Sequence, residues 1–324
     1  MSRPLSYANA INEALRQSME LSDDVVVLGQ LVDYKSGIFG TTTGLVDRFG
    51  PDRVQDFPVS ENLMTATAMG AALTGLRPVI VHQRLDFMIY SLDAITNWLS
   101  LWHFKSAGKS NMPVTIRAIV GKGWGQGPQH SKSLHAWFAH LPGLRVAVPA
   151  TADDIKGLLL ESIFSETPAV FVEGRGLFSM TTHVPEKPYR VPFGKGVIRR
   201  AGSDVTLIAI GTMVPSALRA AAILEAEGIS AEVFDPRTLS PLDREGICNS
   251  VHRTRRLLVA DPAWRSFGVA AEIIATVAEE LFGELRARPV RFCLPDGHTP
   301  MSSALEAQYY AGDAALAAAI REIL

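Results

Sequence analysis

The chain has 324 residues, enough for two domains of ordinary size, and a formal net charge of −2 that offers no basic surface for nucleic acid or membrane. Its two cysteines, Cys248 and Cys293, are far apart in sequence and lack metal-ligand spacing, so a reducing, cytoplasmic location is expected. No apolar run is long enough for a membrane span, and we expect neither a signal peptide nor a membrane partner.

Strands alternate with helices along the first half of the sequence. The predicted elements are helix Tyr7–Leu21, strand Val25–Gly29, helix 41–49, a helix capped by Ser60, strand 79–81, helix 91–105, strand 114–120, strand 145–149, helix 153–165 and strand 169–173. Helix 91–105 is apolar over most of its circumference, so it is expected to be buried within a domain or in a subunit interface. This alternation predicts a mostly parallel sheet covered by helices on both faces.

Residues 181–192 contain three prolines and no periodicity, which predicts a linker. The second half repeats the alternation with strand 205–210, helix 216–227, strand 231–234, strand 257–260, helix 269–281 and strand 290–292. We therefore predict an α/β fold of two domains, residues 1–182 and 193–324, each with a mostly parallel sheet flanked by helices.

The predicted helix after Ser60 carries an acid in its first turn and small residues along its body. Glu61 directly follows the cap, and Ala68, Gly70 and Ala72 would let another backbone approach closely. On local pattern alone, Glu61 does no more than complement the helix dipole, which is worth a few tenths of a kcal/mol. A chemical role for this carboxylate needs further support.

A glycine-rich loop, GKGWGQGPQHS (121–131), follows a predicted strand. It is not a dinucleotide fingerprint, because the third required glycine is missing in every register. The GKS at 108–110 also fails as a phosphate loop, since His103 stands where the earlier glycine should be. Alternating glycines can still bring backbone N–H groups close to a ligand, and His130 ends the loop. Taken alone, a histidine in such a place is more often an ordinary hydrogen-bonded loop residue.

Nearly the whole chain resembles the β subunit of the thiamine-diphosphate-dependent first component of 2-oxoacid dehydrogenase complexes (pyruvate, branched-chain and acetoin types). The matching blocks are PVSE (58–61), GAA (70–72), GLRP (75–78), QHS (129–131), PGL (142–144) and RTLSPLD (237–243). The resemblance implies a pyrimidine-binding domain followed by a transketolase C-terminal-like domain. It also implies that Glu61 contacts N1′ of the cofactor's aminopyrimidine, that Phe87 packs on that ring, and that His130 lies near the reacting carbon. Plain core packing remains an alternative for Phe87.

Three departures from the family pattern concern the expected site. Gln30 and Leu31 stand where the family has acidic residues, so a proton path between paired sites is not expected to be intact. HQRL at 82–85 replaces the usual Phe-Met-Thr-Phe, which changes the charge beside the cofactor and leaves the substrate open. Ser165 replaces the aspartate of a loop, residues 162–167, that often holds a structural potassium ion in the family.

The diphosphate and Mg²⁺ motif of these enzymes, Gly-Asp-Gly followed about thirty residues later by Asn, is absent from the sequence. The chain therefore resembles half an active site, with no metal site of its own and the Mg²⁺ on an α subunit in an α₂β₂ heterotetramer. A lipoyl acyltransferase is a further expected partner. Two alternatives stay open: the chain is half of a split transketolase-like carboligase, or it is a catalytically silent scaffold subunit. The joint presence of Glu61, Phe87 and His130 argues against the silent scaffold.

Overall fold

The computed structural model describes residues 1–123 and 125–324 and divides them into two compact units. Unit 1 consists of Met1–Val120 and Trp137–Phe193, and unit 2 of Gly121–Ala136 and Gly194–Leu324. Both units are α/β with mostly parallel strands, which confirms the predicted fold class. The domain limits 1–182 and 193–324 stay a prediction.

The elements up to Phe193 alternate as expected. They are β1 (Ser2–Ser6), α1 (Tyr7–Leu21), β2 (Val25–Gly29), α2 (Leu45–Phe49), β3 (Val54–Asp56), α3 (Glu61–Leu73), β4 (Arg77–His82), α4 (Leu85–Met88), a 3₁₀ turn (Ile89–Ser91), α5 (Leu92–Ala94), a π-helical segment (Ile95–Leu99), α6 (Trp102–Lys105), β5 (Thr115–Val120), α7 (His135–Ala139), β6 (Arg145–Ala147), α8 (Ala152–Ile163), β7 (Ala169–Gly174), a second 3₁₀ turn (Arg175–Leu177) and β8 (Thr181–Pro185). The predicted bounds of α1 and β2 are confirmed.

The sheet of unit 1 has the strand order β6-β7-β5-β4-β2-β3, with every neighbouring pair parallel. Apolar residues of α1 and α8 form one core with Val25, Val27, Val79 and Val81 on one face of this sheet. Because side chains alternate along a strand, Ile80 and His82 point to the opposite face, on the side where α3 packs against β4. All strands of the sheet end at one edge, the carboxyl edge.

The elements after Phe193 build unit 2. They are β9 (Val197–Arg200), β10 (Val205–Ala209), α9 (Met213–Glu225), β11 (Ala231–Asp235), β12 (Thr238–Ser240), α10 (Arg244–Thr254), β13 (Leu257–Trp264), α11 (Val269–Glu280), β14 (Val290–Leu294), α12 (Ser303–Tyr309) and α13 (Asp313–Arg321). The strand order is β14-β13-β10-β11-β9, and only the edge strand β9 is antiparallel to its neighbour.

The predicted single helix over 91–105 is wrong in detail. The segment instead contains α5, the π-helical segment and α6, with Ser100 N–H bonded to the Ile95 carbonyl five residues earlier. The hydroxyls of Thr96 and Ser100 donate to carbonyls four residues back, and this competition with the backbone interrupts a regular helix. Within this chain the segment is not buried on most sides, because Trp98 and Phe104 are exposed, so of the two expected locations only the subunit interface stays a prediction.

Three smaller expectations also need correction. The helix predicted over 41–49 begins only at Leu45, because the buried hydroxyls of Thr41 and Thr42 bond to the backbone of Ile38 and hold a turn there. Ser60 occupies the cap position of α3, but its side chain makes no capping hydrogen bond. Residues 181–192 are only partly a linker, since β8 pairs antiparallel with β1.

Candidate active site

Glu61 begins α3 and lies at the carboxyl edge of the unit 1 sheet. It is 7% exposed, and its Oε1 accepts a hydrogen bond of 3.4 Å from Nε2 of Gln30, the residue that directly follows β2. The contact is at the long end of hydrogen-bond geometry, so it orients the carboxylate only loosely. The positive end of the helix dipole favours a negative charge at this place. A buried acid at this edge is well placed to receive a ligand, because open parallel sheets bind ligands beyond their carboxyl ends.

His82 is the last residue of β4 and is 1% exposed. Neither ring nitrogen has a hydrogen-bond partner among the described residues. Burial lowers the pKa of the imidazole to about 3, so the ring is neutral at physiological pH. Buried polar groups are normally paired, which makes this unpaired imidazole at the carboxyl edge a candidate ligand contact.

The lowered pKa of His82 gives the first testable prediction. The neutral ring is favoured in the folded chain, so its contribution to stability is full above pH 6.5 and is lost as the pH falls from 6.5 towards 3. At pH 5 this loss amounts to about 2 kcal/mol. His82→Phe should therefore show a smaller drop in melting temperature between pH 7 and pH 5 than the wild type. His183→Gln, at an exposed histidine of β8, is the control, and equal drops in all three proteins would contradict the prediction.

Phe87 and Arg84 follow β4 at the same edge. Phe87 is half-buried in α4, a position compatible with contact to a ring and equally with core packing. The guanidinium of Arg84 lies 5.2 Å from the ring centroid of Phe39, and that of Arg175, just after β7, lies 4.8 Å from the same centroid. The replacement of the family's Phe-Met-Thr-Phe thus brings one cationic side chain, Arg84, to this part of unit 1, where Arg175 adds a second.

His130 belongs to unit 2 and ends the loop that starts at Gly121. The loop is closed at its base by a hydrogen bond of 2.9 Å from Gly121 N to the His130 carbonyl oxygen. A Cβ on Gly121 would lie 2.6 Å from that oxygen, so the closure requires glycine. Gly123, Gly125 and Gly127 have φ of 86°, 63° and 67°, which other residues adopt only with strain. Trp124 lies outside the described residues.

The structure therefore places the sequence-predicted residues in two groups. Glu61 and Phe87 belong to unit 1 with Gln30, whereas His130 belongs to unit 2. Sequence reasoning treated Gln30 and His82 only as departures from a family pattern. The bond from Gln30 to Glu61 and the unpaired imidazole of His82 had no local signal beyond their positions after buried strands.

Two observations concern metal ions. Among residues 1–123 and 125–324, no group of three or more His, Cys, Asp or Glu side chains is arranged to hold a metal. In the loop 162–167, the carbonyl oxygens of Ile163 and Ser165 accept hydrogen bonds of 3.2 and 3.1 Å from Arg77. A potassium ion at this loop would have to share these oxygens with a guanidinium.

In the same described ranges, no helix is both long and apolar enough to cross a membrane.

Models of known protein families match both halves of the chain. The model described as transketolase, pyrimidine binding domain matches residues 3–180, and the model described as transketolase, C-terminal domain matches residues 194–315. A solved structure titled "Split gene transketolase, inactive beta4 tetramer" superposes with a TM-score of 0.79 at 26% identity, covering 99% of this chain and 98% of that one.

Curated relatives match over the same length. The chain is 40% identical to the acetoin:2,6-dichlorophenolindophenol oxidoreductase subunit beta of Cupriavidus necator, covering 100% of this chain and 98% of the relative. It is 37% identical to the pyruvate dehydrogenase E1 component subunit beta of Bacillus subtilis, covering 93% of each. The chain therefore belongs to the transketolase-like family of β subunits of thiamine-diphosphate-dependent 2-oxoacid dehydrogenases.

Proposed function

We propose that this chain is the β subunit of a thiamine-diphosphate-dependent 2-oxoacid dehydrogenase, acting in oxidative decarboxylation of a 2-oxo acid with acyl transfer to lipoamide. The observation that carries the proposal is the buried carboxylate of Glu61, at the start of a helix and at the carboxyl edge of a pyrimidine-binding-type domain. The relatives supply the reaction class, since one is named as a subunit of an acetoin oxidoreductase and another as a subunit of the pyruvate dehydrogenase E1 component.

The residues of unit 1 fit an aminopyrimidine in chemistry. When bound, thiamine diphosphate supplies an acidic proton on C2 of its thiazolium ring and accepts the electron pair released on decarboxylation. Glu61 is proposed to hold the proton at N1′ of the aminopyrimidine, which its burial supports because a dry site strengthens such a hydrogen bond. Gln30 orients the carboxylate through its amide, and Phe87 is proposed to pack on the ring.

His130 is proposed to act on the substrate rather than on the cofactor ring. An imidazole at the end of a loop closed by Gly121 can orient the 2-oxo acid or move a proton at its reacting carbon. The closed loop supports this role because a fixed backbone limits where the imidazole can move.

An α subunit is proposed to supply the diphosphate and Mg²⁺ site that this sequence lacks. Unit 1 supports the presence of a partner, because it exposes six large apolar side chains on and beside α3, the π-helical segment and α6. We call this the partner surface; its residues are Val59, Leu63, Tyr90, Trp98, Leu101 and Phe104. Large apolar side chains are enriched at protein interfaces, so several exposed ones on neighbouring elements favour a partner here. The α₂β₂ stoichiometry, a lipoyl acyltransferase and a cytoplasmic location complete the proposal, and a potassium ion at 162–167 remains a prediction.

The second prediction concerns this assembly. The chain should form a heterotetramer and turn over a 2-oxo acid only with a chain that carries the Gly-Asp-Gly and Asn motif, as measured by light scattering and activity. Phe104→Ser removes a ring that is 86% exposed on the partner surface and should weaken assembly, whereas Phe282→Ser, at a ring 90% exposed in unit 2, should not. Turnover by this chain alone as a monomer would refute the proposal.

A split transketolase-like carboligase is the second candidate. Its support is the solved split-gene transketolase, together with the polar His82 and the cationic Arg84 at the edge where the family has Phe and Thr. The assembled enzyme separates the two candidates directly. Lipoamide or an artificial electron acceptor should support turnover if the first proposal is right, whereas turnover that requires an aldehyde acceptor would favour the carboligase.

A further inference from the structure

We propose that Glu306 is a positioning residue that clamps the glycine loop and thereby holds His130 in place. This inference rests on the proposed function of His130. Glu306 lies in α12, which is separated in sequence from the loop by more than half of the chain. The contacts below all lie within unit 2.

The carboxylate of Glu306 bonds to the loop backbone at two places. Gly123 N donates to Oε1 at 2.8 Å, and Gly125 N donates to Oε2 at 3.3 Å. Glu306 is only 5% exposed. Hydrogen bonds to an ionised acceptor are stronger than those between neutral groups, and water has little access to compete for this carboxylate. Each oxygen therefore fixes one amide of the loop.

Neighbouring contacts hold the same stretch of loop against the segment that carries Glu306. A Cβ on Gly127 would lie 2.5 Å from Met301 Cγ, and a Cβ on Gly125 would lie 3.0 Å from the Met301 carbonyl oxygen. Lys122 Nζ lies 4.4 Å from the ring centroid of Tyr310. Glycines are needed here because the loop backbone approaches this segment so closely.

The closure acts at the base of the loop and the clamp acts further along its first half. Gly121 N fixes the His130 carbonyl oxygen at the base, and Glu306 fixes Gly123 and Gly125 beyond it. With both in place, the backbone leading to His130 has few remaining ways to move. If the Glu306 carboxylate is removed, the base closure remains but the middle of the loop is released, so the imidazole should sample more orientations.

Amide hydrogen exchange on the full chain tests the clamp without any need for activity. In Glu306→Ala, exchange in the loop peptide that contains Gly123 and Gly125 should be about tenfold faster, whereas exchange in the strands of unit 2 should stay unchanged. Glu306→Gln keeps one acceptor oxygen and should show a smaller increase. Glu279→Gln, at an exposed glutamate of α11, is the matched control. Wild-type exchange in the loop of Glu306→Ala would overturn the clamp.

A double-mutant cycle in the enzyme assembled with its α partner tests the positioning role. Glu306→Ala should lower kcat about tenfold with little change in KM, with partial recovery in Glu306→Gln. Exchange of the cofactor's C2 proton should stay at the wild-type rate, because Glu61 belongs to unit 1. In a His130→Ala background, Glu306→Ala should cause no further loss, because there is no imidazole left to position.

The outcomes separate this inference from the proposed function. Equal losses from Glu306→Ala in the wild-type and His130→Ala backgrounds would show that Glu306 does not act through His130, and the inference would fail alone. A His130→Ala enzyme with normal turnover would remove the proposed function of His130 and the positioning role with it. In that case the exchange experiment would still decide whether the clamp exists.

Discussion

Replacing Glu61 by glutamine should stop activation of the cofactor while leaving the protein folded and assembled. Glutamine keeps the shape and one hydrogen bond, but it cannot take or give the proton at N1′. Exchange of the C2 proton with deuterium, measured on the assembled variant, should slow by several orders of magnitude, and turnover should fall with it. The melting temperature should change little, because a charge in the first turn of a helix is worth under about 1 kcal/mol.

A role limited to the helix dipole predicts a different result for Glu61→Gln. If the carboxylate only complements the helix dipole, Glu61→Gln should lose a little stability and keep a normal exchange rate. Gln30→Ala is the companion variant, since it removes only the 3.4 Å contact that orients the carboxylate. It should slow exchange much less than Glu61→Gln does. A wild-type exchange rate in Glu61→Gln would exclude the proposed role of this residue.

Replacing His130 by alanine should slow the steps that follow cofactor activation. Loss of a general acid or base typically costs about 10²–10⁴ in rate, and we expect turnover of the assembled enzyme to fall within this range. Cofactor affinity and C2 proton exchange should stay near wild type, because Glu61 and Phe87 are intact. His140→Ala, at a histidine ten residues further along the chain, is the control.

Single-turnover measurements make the test for His130 sharper. If the imidazole acts on the substrate, the rate of the chemical step should fall, whereas the rate of substrate binding should not. Unchanged turnover with every substrate that the enzyme accepts would show that His130 is an ordinary loop residue without a role in the reaction.

The fold was largely predictable because its elements carry strong local signals. The bounds of α1 and β2 could be predicted from the apolar periodicity of α1 and from the continuous apolar run of β2. β8 was missed because a strand with a terminal proline shows no periodicity, and only its pairing with the distant β1 makes it a strand. The irregular segment after Ser91 was missed because its apolar pattern favours a regular helix. The hydroxyls of Thr96 and Ser100 instead bond to backbone carbonyls and interrupt that helix.

The site was predictable only as far as a resemblance could indicate residues. Glu61, Phe87 and His130 followed from motif positions, and their roles remain predictions. The bond from Gln30 to Glu61 and the bonds from the glycine loop to Glu306 join residues distant in sequence. No short-range pattern encodes such contacts, because they depend on which strand and helix ends the fold brings together.

The assignment of Gly121–Ala136 to unit 2 has a consequence for how the chain reaches its native state. During synthesis, this segment leaves the ribosome long before its partners: His135 bonds to Asp261, 126 residues later, and Gly123 bonds to Glu306, 183 residues later. Unit 2 therefore cannot finish folding until α12 has been made, and a fragment cut at Gly194 would lack part of its own interior. Contacts of such long range slow folding, so we expect the glycine loop to be among the last parts of the chain to become ordered.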